Sequence, residues 1–279
     1  CKAMYLNPFE SRSSQNVIYK GNPGLTPTFT NSFDLGYLQK IGKLTLNSSI
    51  YFQHSINSIL RVSRDEIRLL DGVNQVITIR EPINLASEDR FGFELTANYN
   101  PSKKVRLSGS FNVFQQESKG LYAYNKFIID EITGAISATP ETQDLGNTNN
   151  SWFTRFNATF SLPWKIQMQN RLSYRGPRNT AQSESEGIFS ANIALSKDVF
   201  KEKGSLVLNV SDVFNSRKRK STNYNPSIEN PTSISYQESQ WRVRQVSLNF
   251  TYRFNQKKKQ QRDRRGGEDF EGGEDFGTP

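Results

Sequence analysis

Apolar and polar residues alternate with period two along most of this chain. In residues 90–99, Phe91, Phe93, Leu95, Ala97 and Tyr99 share one face, and Gly92, Glu94, Thr96 and Asn98 share the other. After Asn100-Pro-Ser-Lys-Lys104 the pattern restarts, with Val105, Leu107, Gly109, Phe111 and Val113 set against Arg106, Ser108, Ser110 and Asn112. Strict alternation predicts strands with one apolar and one wet face. The same reading places strands near 27–39, 43–58, 151–162, 164–176, 186–199, 204–214 and 240–254, and no window gives a 3.6 period. The chain therefore reads as all-β, with nine strands.

Several of these strands keep the alternation for about ten residues, longer than the five or six usual in soluble sheets and close to what a tilted membrane-spanning strand requires. Their connections alternate in length. Short links fall at Lys40–Lys43, Asn100–Lys104, Leu162–Trp164 and Lys201–Gly204; long ones cover about 59–87, 115–150, 177–186 and 215–240. Counted from residue 27, each short link follows an odd strand and each long link an even one. That is the plan of an antiparallel outer-membrane barrel, with tight turns on one side and large loops on the other. The count requires the alternating stretch 73–80 to belong to a hairpin standing above the membrane. Tyr37, Tyr99, Phe160, Trp164, Phe200, Tyr252 and Phe254 all fall near the short-turn side, as in the aromatic belt of a membrane interface. The bland alternative, a soluble sandwich core, does not require one edge to collect them.

Composition then makes sense. The 279 residues are only 34% hydrophobic but 12% aromatic, a mixture that alternation explains: each strand presents two opposite surfaces. No stretch nears 18 consecutive apolar residues, which excludes a transmembrane helix. One Cys and one His rule out a disulfide framework and a His- or Cys-based metal cluster. His54 lies within a strand and Glu94 is a lone acid, so no nucleophile–base–orienter set is visible. The sequence thus predicts no catalytic, cofactor or metal residue. What it predicts is a polar lumen face made of Glu94, Arg106, Asn112, Arg155, Asn157, Lys165, Gln167, Gln169, Arg171, Arg175, Asn192, Asn249 and Arg253. Solvating the inside of any wide barrel would account for most of them.

Nine is an odd count where single-chain bacterial barrels use even ones. Together with a start that shows no signal peptide, this leads us to expect the C-terminal part of a larger, here incomplete, barrel.

Several stretches resemble a known family. Gly21-Asn-Pro-Gly-Leu-Thr-Pro27 before a strand, Tyr174-Arg-Gly-Pro177, Leu195-Ser-Lys197, and Val210-Ser-Asp-Val-Phe-Asn215 running into Arg217-Lys-Arg are similar to outer-membrane β-barrel proteins related to the TonB-dependent receptors of Bacteroidetes. Val246, Leu248, Phe250, Tyr252 and Phe254 resemble the terminal strand by which such proteins are handed to the barrel-assembly machinery. The resemblance spans roughly 5–254. It implies a 22-stranded barrel whose earlier strands and plug lie elsewhere, importing a siderophore, glycan or peptide. As partners it implies outer-membrane lipid, the TonB complex and a surface lipoprotein lid.

On this reading residues 1–26 form an extracellular loop region, 27–254 the barrel strands, and 255–279 a disordered charged periplasmic tail. The tail's six basic residues balance six acidic ones, so the net charge of +9 belongs to the barrel part. No nucleic-acid partner is expected. Two other readings stay open: a secreted or surface carbohydrate-binding β-protein, and a porin or structural barrel without energy coupling.

Overall fold

A computed structural model describes residues 3–70, 72–130 and 133–254; the expected tail over 255–279 lies outside them. After one helical turn, α1 (Ala3–Leu6), come β1 (Ser11–Ser14) and β2 (Val17–Tyr19). Long strands follow: β3 (Phe29–Ile41), β4 (Leu44–Ile56), β5 (Ile59–Leu70) and β6 (Val73–Asn84). Then come β7 (Ser87–Ser102), β8 (Val105–Lys119), β9 (Leu121–Ile129), β10 (Ile136–Asp144), β11 (Asn147–Leu162) and β12 (Ile166–Arg175). The described chain ends with β13 (Arg178–Thr180), β14 (Ser183–Ser185), β15 (Ile188–Val199), β16 (Gly204–Ser211), β17 (Arg219–Asn225), β18 (Ser233–Ser239) and β19 (Gln245–Tyr252).

Nine strands form one sheet in the order β19-β16-β15-β12-β11-β8-β7-β4-β3. They are the nine read from the alternation, and the sheet is open, with β3 and β19 as its edges. The hairpin expected above the sheet is β5–β6, which joins β1 and β2 in a separate four-stranded sheet.

Register explains how the two faces stay separate, because directly paired residues lie on the same side. One row runs Ile41, Leu44, Tyr99, Leu107, Ala158, Asn170, Ile193, Val210, Val246 across all nine strands. It enters at the short-turn end of β3 and leaves at the long-loop end of β19. Strands staggered in this way are tilted, as barrel closure demands. On β4 the apolar run lasts from Leu44 to Phe52, and on β7 from Phe91 to Tyr99. Eight residue steps of roughly 3.3 Å, tilted by about 40°, give a band about 20 Å high, near the height of a barrel's lipid-facing surface. Much of this face is exposed: Leu35, Phe33 and Phe91 are all more than half accessible.

Two positions differ from the sequence reading. Trp164 and Lys165 do not begin a strand but sit in a single 3-10 turn, Pro163–Lys165, with φ of 59° and 58°. Pro163 cannot donate to the ladder, so pairing stops at Leu162 and restarts at Ile166. Lys165 therefore lies on the short-turn rim, 3.6 Å from Glu202, and not on the polar face of a strand.

One glycine is required by a close approach. Tyr51, directly paired with Gly92, lays its ring across that residue, and a Cβ there would overlap it. The Tyr51 hydroxyl meets Asn112 Oδ1 at 3.2 Å, one strand further on. An aromatic covering a strand glycine in this way pins register. Gly92→Ala is expected to cost about 1–3 kcal/mol in urea unfolding, as overpacking does. Combining it with Tyr51→Ala should bring less than the sum of the two losses, and strict additivity would remove the proposed contact.

Candidate functional site

Above the long-loop end of the sheet, four loops pack into one cap. Val62, Leu85, Tyr122 and Leu145 form its buried core, with Leu60, Ile83, Tyr124 and Ala181 against them. These residues come from the β5–β6 hairpin, the β9–β10 hairpin and the β13–β14 link. Gln182 ties the loops together: it is 8% exposed, its Oε1 accepts from Ser63 N at 2.8 Å, and its Nε2 donates to Ser63 O at 3.0 Å and Pro226 O at 2.6 Å. Gln143 Nε2 also donates to Pro226 O, at 2.6 Å. The side-chain amide takes the place of a strand neighbour.

Residues 3–26 dock on this cap. Strand β2 pairs parallel with β6, burying Ile18 against Ile77 and Ile79. An ionic chain reinforces the contact: Arg68 grips Glu10 through two bonds of 2.7 Å and Glu66 through one of 2.8 Å, and Arg64 joins Glu66 to Glu81. The Arg68 hydrogen bonds hold the Glu10 carboxyl below its ordinary range. Burial would raise Glu66, but the Arg68 and Arg64 hydrogen bonds overcome it and the net direction is down. Burial, then the bond to Glu141, pushes the Tyr124 hydroxyl up to about 12.

Carboxylates with lowered native values stabilise the fold fully above their unfolded value of 4.5 and lose that contribution as pH falls through the lowered value. Docking of residues 3–26 is therefore expected to hold at neutral pH and loosen below about pH 4.5. Hydrogen-exchange protection of Val17–Tyr19, corrected for intrinsic rates, measures this. In Glu10→Gln the acid-induced loss should shrink, and an unchanged loss would assign the effect elsewhere.

Beneath the cap lies the polar face of the sheet. Glu94 pairs with Asn112, which pairs with Phe153; Arg155 pairs with Ser110, Asn157 with Ser108 and Arg106 with Thr159. Gln167, Gln169, Arg171 and Arg175 of β12 continue it, opposite Ser161, Thr159, Asn157 and Phe153. Arg171 also pairs with Asn192, and Asn249 pairs with Val207. Side chains link the rows: Arg171 Nε donates to Asn157 Oδ1 at 3.1 Å, and Asn157 reaches Ser108 Oγ at 3.4 Å. Arg253 follows β19 at the short-turn rim, its backbone N bonded to Lys203 O at 2.8 Å. A groove of about 490 Å³ opens on this face, where Arg217, Arg242 and Gln245 approach Arg171 and Asn192.

At the mouth, just under the cap, register sets Gln53, Arg90, Gln116 and Asn149 in one row. Asn149 Oδ1 accepts from Asn179 N at 2.9 Å, which places Arg178 beside the row. These residues escaped the sequence reading. Arg90 shares the parity of Glu94 and so carried a signal; Arg178 lies in a loop and carried none.

His54 is placed differently. It bonds Asp89 at 2.5 Å, in the row Asn31, His54, Asp89, Glu117 that closes the apolar face at its long-loop end. Among the described residues, no three His, Cys, Asp or Glu side chains come together as metal ligands.

The aromatics form two groups. Phe200 meets Phe250 and Tyr252 at 6.0 and 6.1 Å, and Tyr252 meets Phe254 at 4.8 Å, at the short-turn end. A second group, absent from the sequence reading, joins Phe111, Trp152 and Tyr174 on the same face toward the long loops. Two aromatic belts flanking an apolar band are the signature of a transmembrane barrel.

The motifs singled out in the sequence turn out to be corners. Asp212, 3% exposed with φ of 51°, accepts from Ser216 N and Arg217 N at 3.0 Å each. Asn215 Oδ1 then accepts from Arg244 N at 3.0 Å, fixing where β19 enters the sheet. Gly176 N donates to Trp152 O at 2.6 Å, an approach that would press a Cβ to 3.0 Å from Trp152 O.

Comparison with known proteins agrees with this geometry. Residues 2–252 match the sequence profile of the outer membrane protein beta-barrel family. No curated protein and no solved structure matches. An apolar band between aromatic belts, tight turns opposite large loops and a profile match over most of the chain lead to one conclusion: this chain belongs to the outer membrane protein beta-barrel family and resides in the outer membrane.

Proposed function

We propose that these strands form part of the barrel of a TonB-dependent receptor of the Bacteroidetes type, importing a bulky solute such as a siderophore, glycan or peptide. The observation that supports this reading is the open sheet under a packed loop cap. Strands β3 and β19 each leave an edge unpaired, and in hydrocarbon an edge must find partner strands. A barrel completed by further strands would be wide enough to enclose a plug, with the polar face lining its lumen. Lipid covers the apolar face, and the assembly machinery reads Val246 to Phe254. The protein is a conduit, not an enzyme, energised through a TonB complex and assisted by a surface lipoprotein.

Conductance of the purified full-length protein in planar bilayers tests this reading. A plugged transporter stays closed until urea extracts the plug, whereas immediate steady conductance would identify a passive porin. The corner motifs favour the receptor reading over the porin, because they resemble its closing strands in order and spacing.

A further inference from the structure

The mouth of the polar face gathers more positive charge than its surroundings neutralise. Arg178 feels the charges of Arg90, Arg175 and Arg219, and of one acid, Glu88. Among the described residues no carboxylate stands within ion-pair distance of these four guanidiniums. Burial comes first, and the three neighbouring arginines add to it, in pushing Arg178 below its ordinary value; Glu88 opposes them. Clustered cations that cost free energy in the empty protein are stabilised by an arriving anion.

Polar groups are also left waiting. Arg90 lies with its guanidinium 3.7 Å over the Phe114 ring, which fixes its orientation, yet its buried Nε has no partner. Asn149 is 3% exposed; its Oδ1 is engaged by Asn179, and its buried Nδ2 has no partner. Register places both donors in the row that also holds Gln116. Buried donors without acceptors are costly, and a site for oxygen-rich anions is one place where such groups are found. Further along the polar face, Arg171 by contrast does bond a neighbouring side chain, Asn157.

We propose that Arg90, Arg178, Arg175 and Arg219, with Asn149, form a binding site for the oxyanion groups of a bulky acidic solute at the mouth of the lumen. The site deepens the import reading and rests on it, since only in a completed barrel does this face line the path. Guanidiniums suit sulfate, phosphate and carboxylate oxygens because their planar fork donates in pairs.

The test uses the full-length protein in detergent, with dextran sulfate as probe and neutral dextran of equal mass as reference, by thermophoresis. Dextran sulfate should bind and neutral dextran should not. Arg90→Gln with Arg178→Gln should weaken binding by about tenfold or more, the loss of charge-assisted hydrogen bonds. The corresponding double Lys variant should stay within about threefold, and Arg12→Gln with Lys126→Gln within about twofold, as expected of charges outside the arginine cluster. Unchanged binding in the double Gln variant, or an equal loss in the Arg12/Lys126 variant, would overturn the site in favour of diffuse attraction. Should the double Gln variant fail to fold, Arg219→Gln, at the exposed first position of β17, should still weaken binding by about threefold, and no change there overturns the site. Urea-opened conductance without discrimination between the dextrans would sink the anion site and leave the transporter reading standing. Discrimination alongside immediate conductance would do the reverse.

Discussion

Leu95→Arg is expected to cost about 2–4 kcal/mol in a bilayer, while Thr96→Arg, one residue on, costs almost nothing. Leu95 sits midway along the apolar run of β7, flanked by Ser48 on β4 and Phe111 on β8. A guanidinium there must snorkel, thin the bilayer or draw in water. Thr96 points to the opposite face, beside Asn47 and Ser110. Depth supplies the control. Tyr99→Arg, at the short-turn end of the same run, is expected to cost only about 0–1 kcal/mol because it lies at the interface. Urea titration of the full-length protein in vesicles, read by heat-modifiable gel mobility, measures all three. Equal penalties at Leu95 and Tyr99 would indicate an ordinary protein core, since only lipid grades the cost with depth.

Gln182→Ala should open the loop cap without unfolding the sheet. The substitution leaves Ser63 N and O and the Pro226 carbonyl with one partner fewer, in a part-buried setting. Orphaned buried groups cost about 1–3 kcal/mol each, and partial access to water reduces the total to about 2–4 kcal/mol. The loss should appear as faster proteolysis and hydrogen exchange near residues 63, 182 and 226. The urea midpoint of the nine-stranded sheet should hardly move. Loss of both together would mean that cap and sheet form one cooperative unit.

How much of this was legible beforehand differs between elements. The strands β7 and β8 were readable from their alternation because a strand's period of two is a local property. The 59–87 excursion was also readable, since counting short and long links left it no place in the sheet. Trp164 and Lys165 were misplaced because alternation continues through them in sequence, whereas Pro163 and two positive φ angles interrupt the pairing. The arginine mouth was half visible. Arg90 carries strand parity, but Arg178 and Arg219 reach it through loop pairings with no period at all.

By itself, then, the sequence determined that this chain makes nine long strands, each with an apolar and a polar surface. Those properties follow from neighbours two apart and from the lengths of links. Only the tertiary structure decided that residues far apart in sequence share a row, as Arg90 and Asn149 do, and that the long loops close over them through Gln182. Stagger and loop docking depend on contacts between distant segments, whose free energies no local pattern records. The charge of +9 shows the difference. Composition states its size, the balanced charges of residues 255–279 leave it to the barrel part, and the fold alone collects part of it into one mouth.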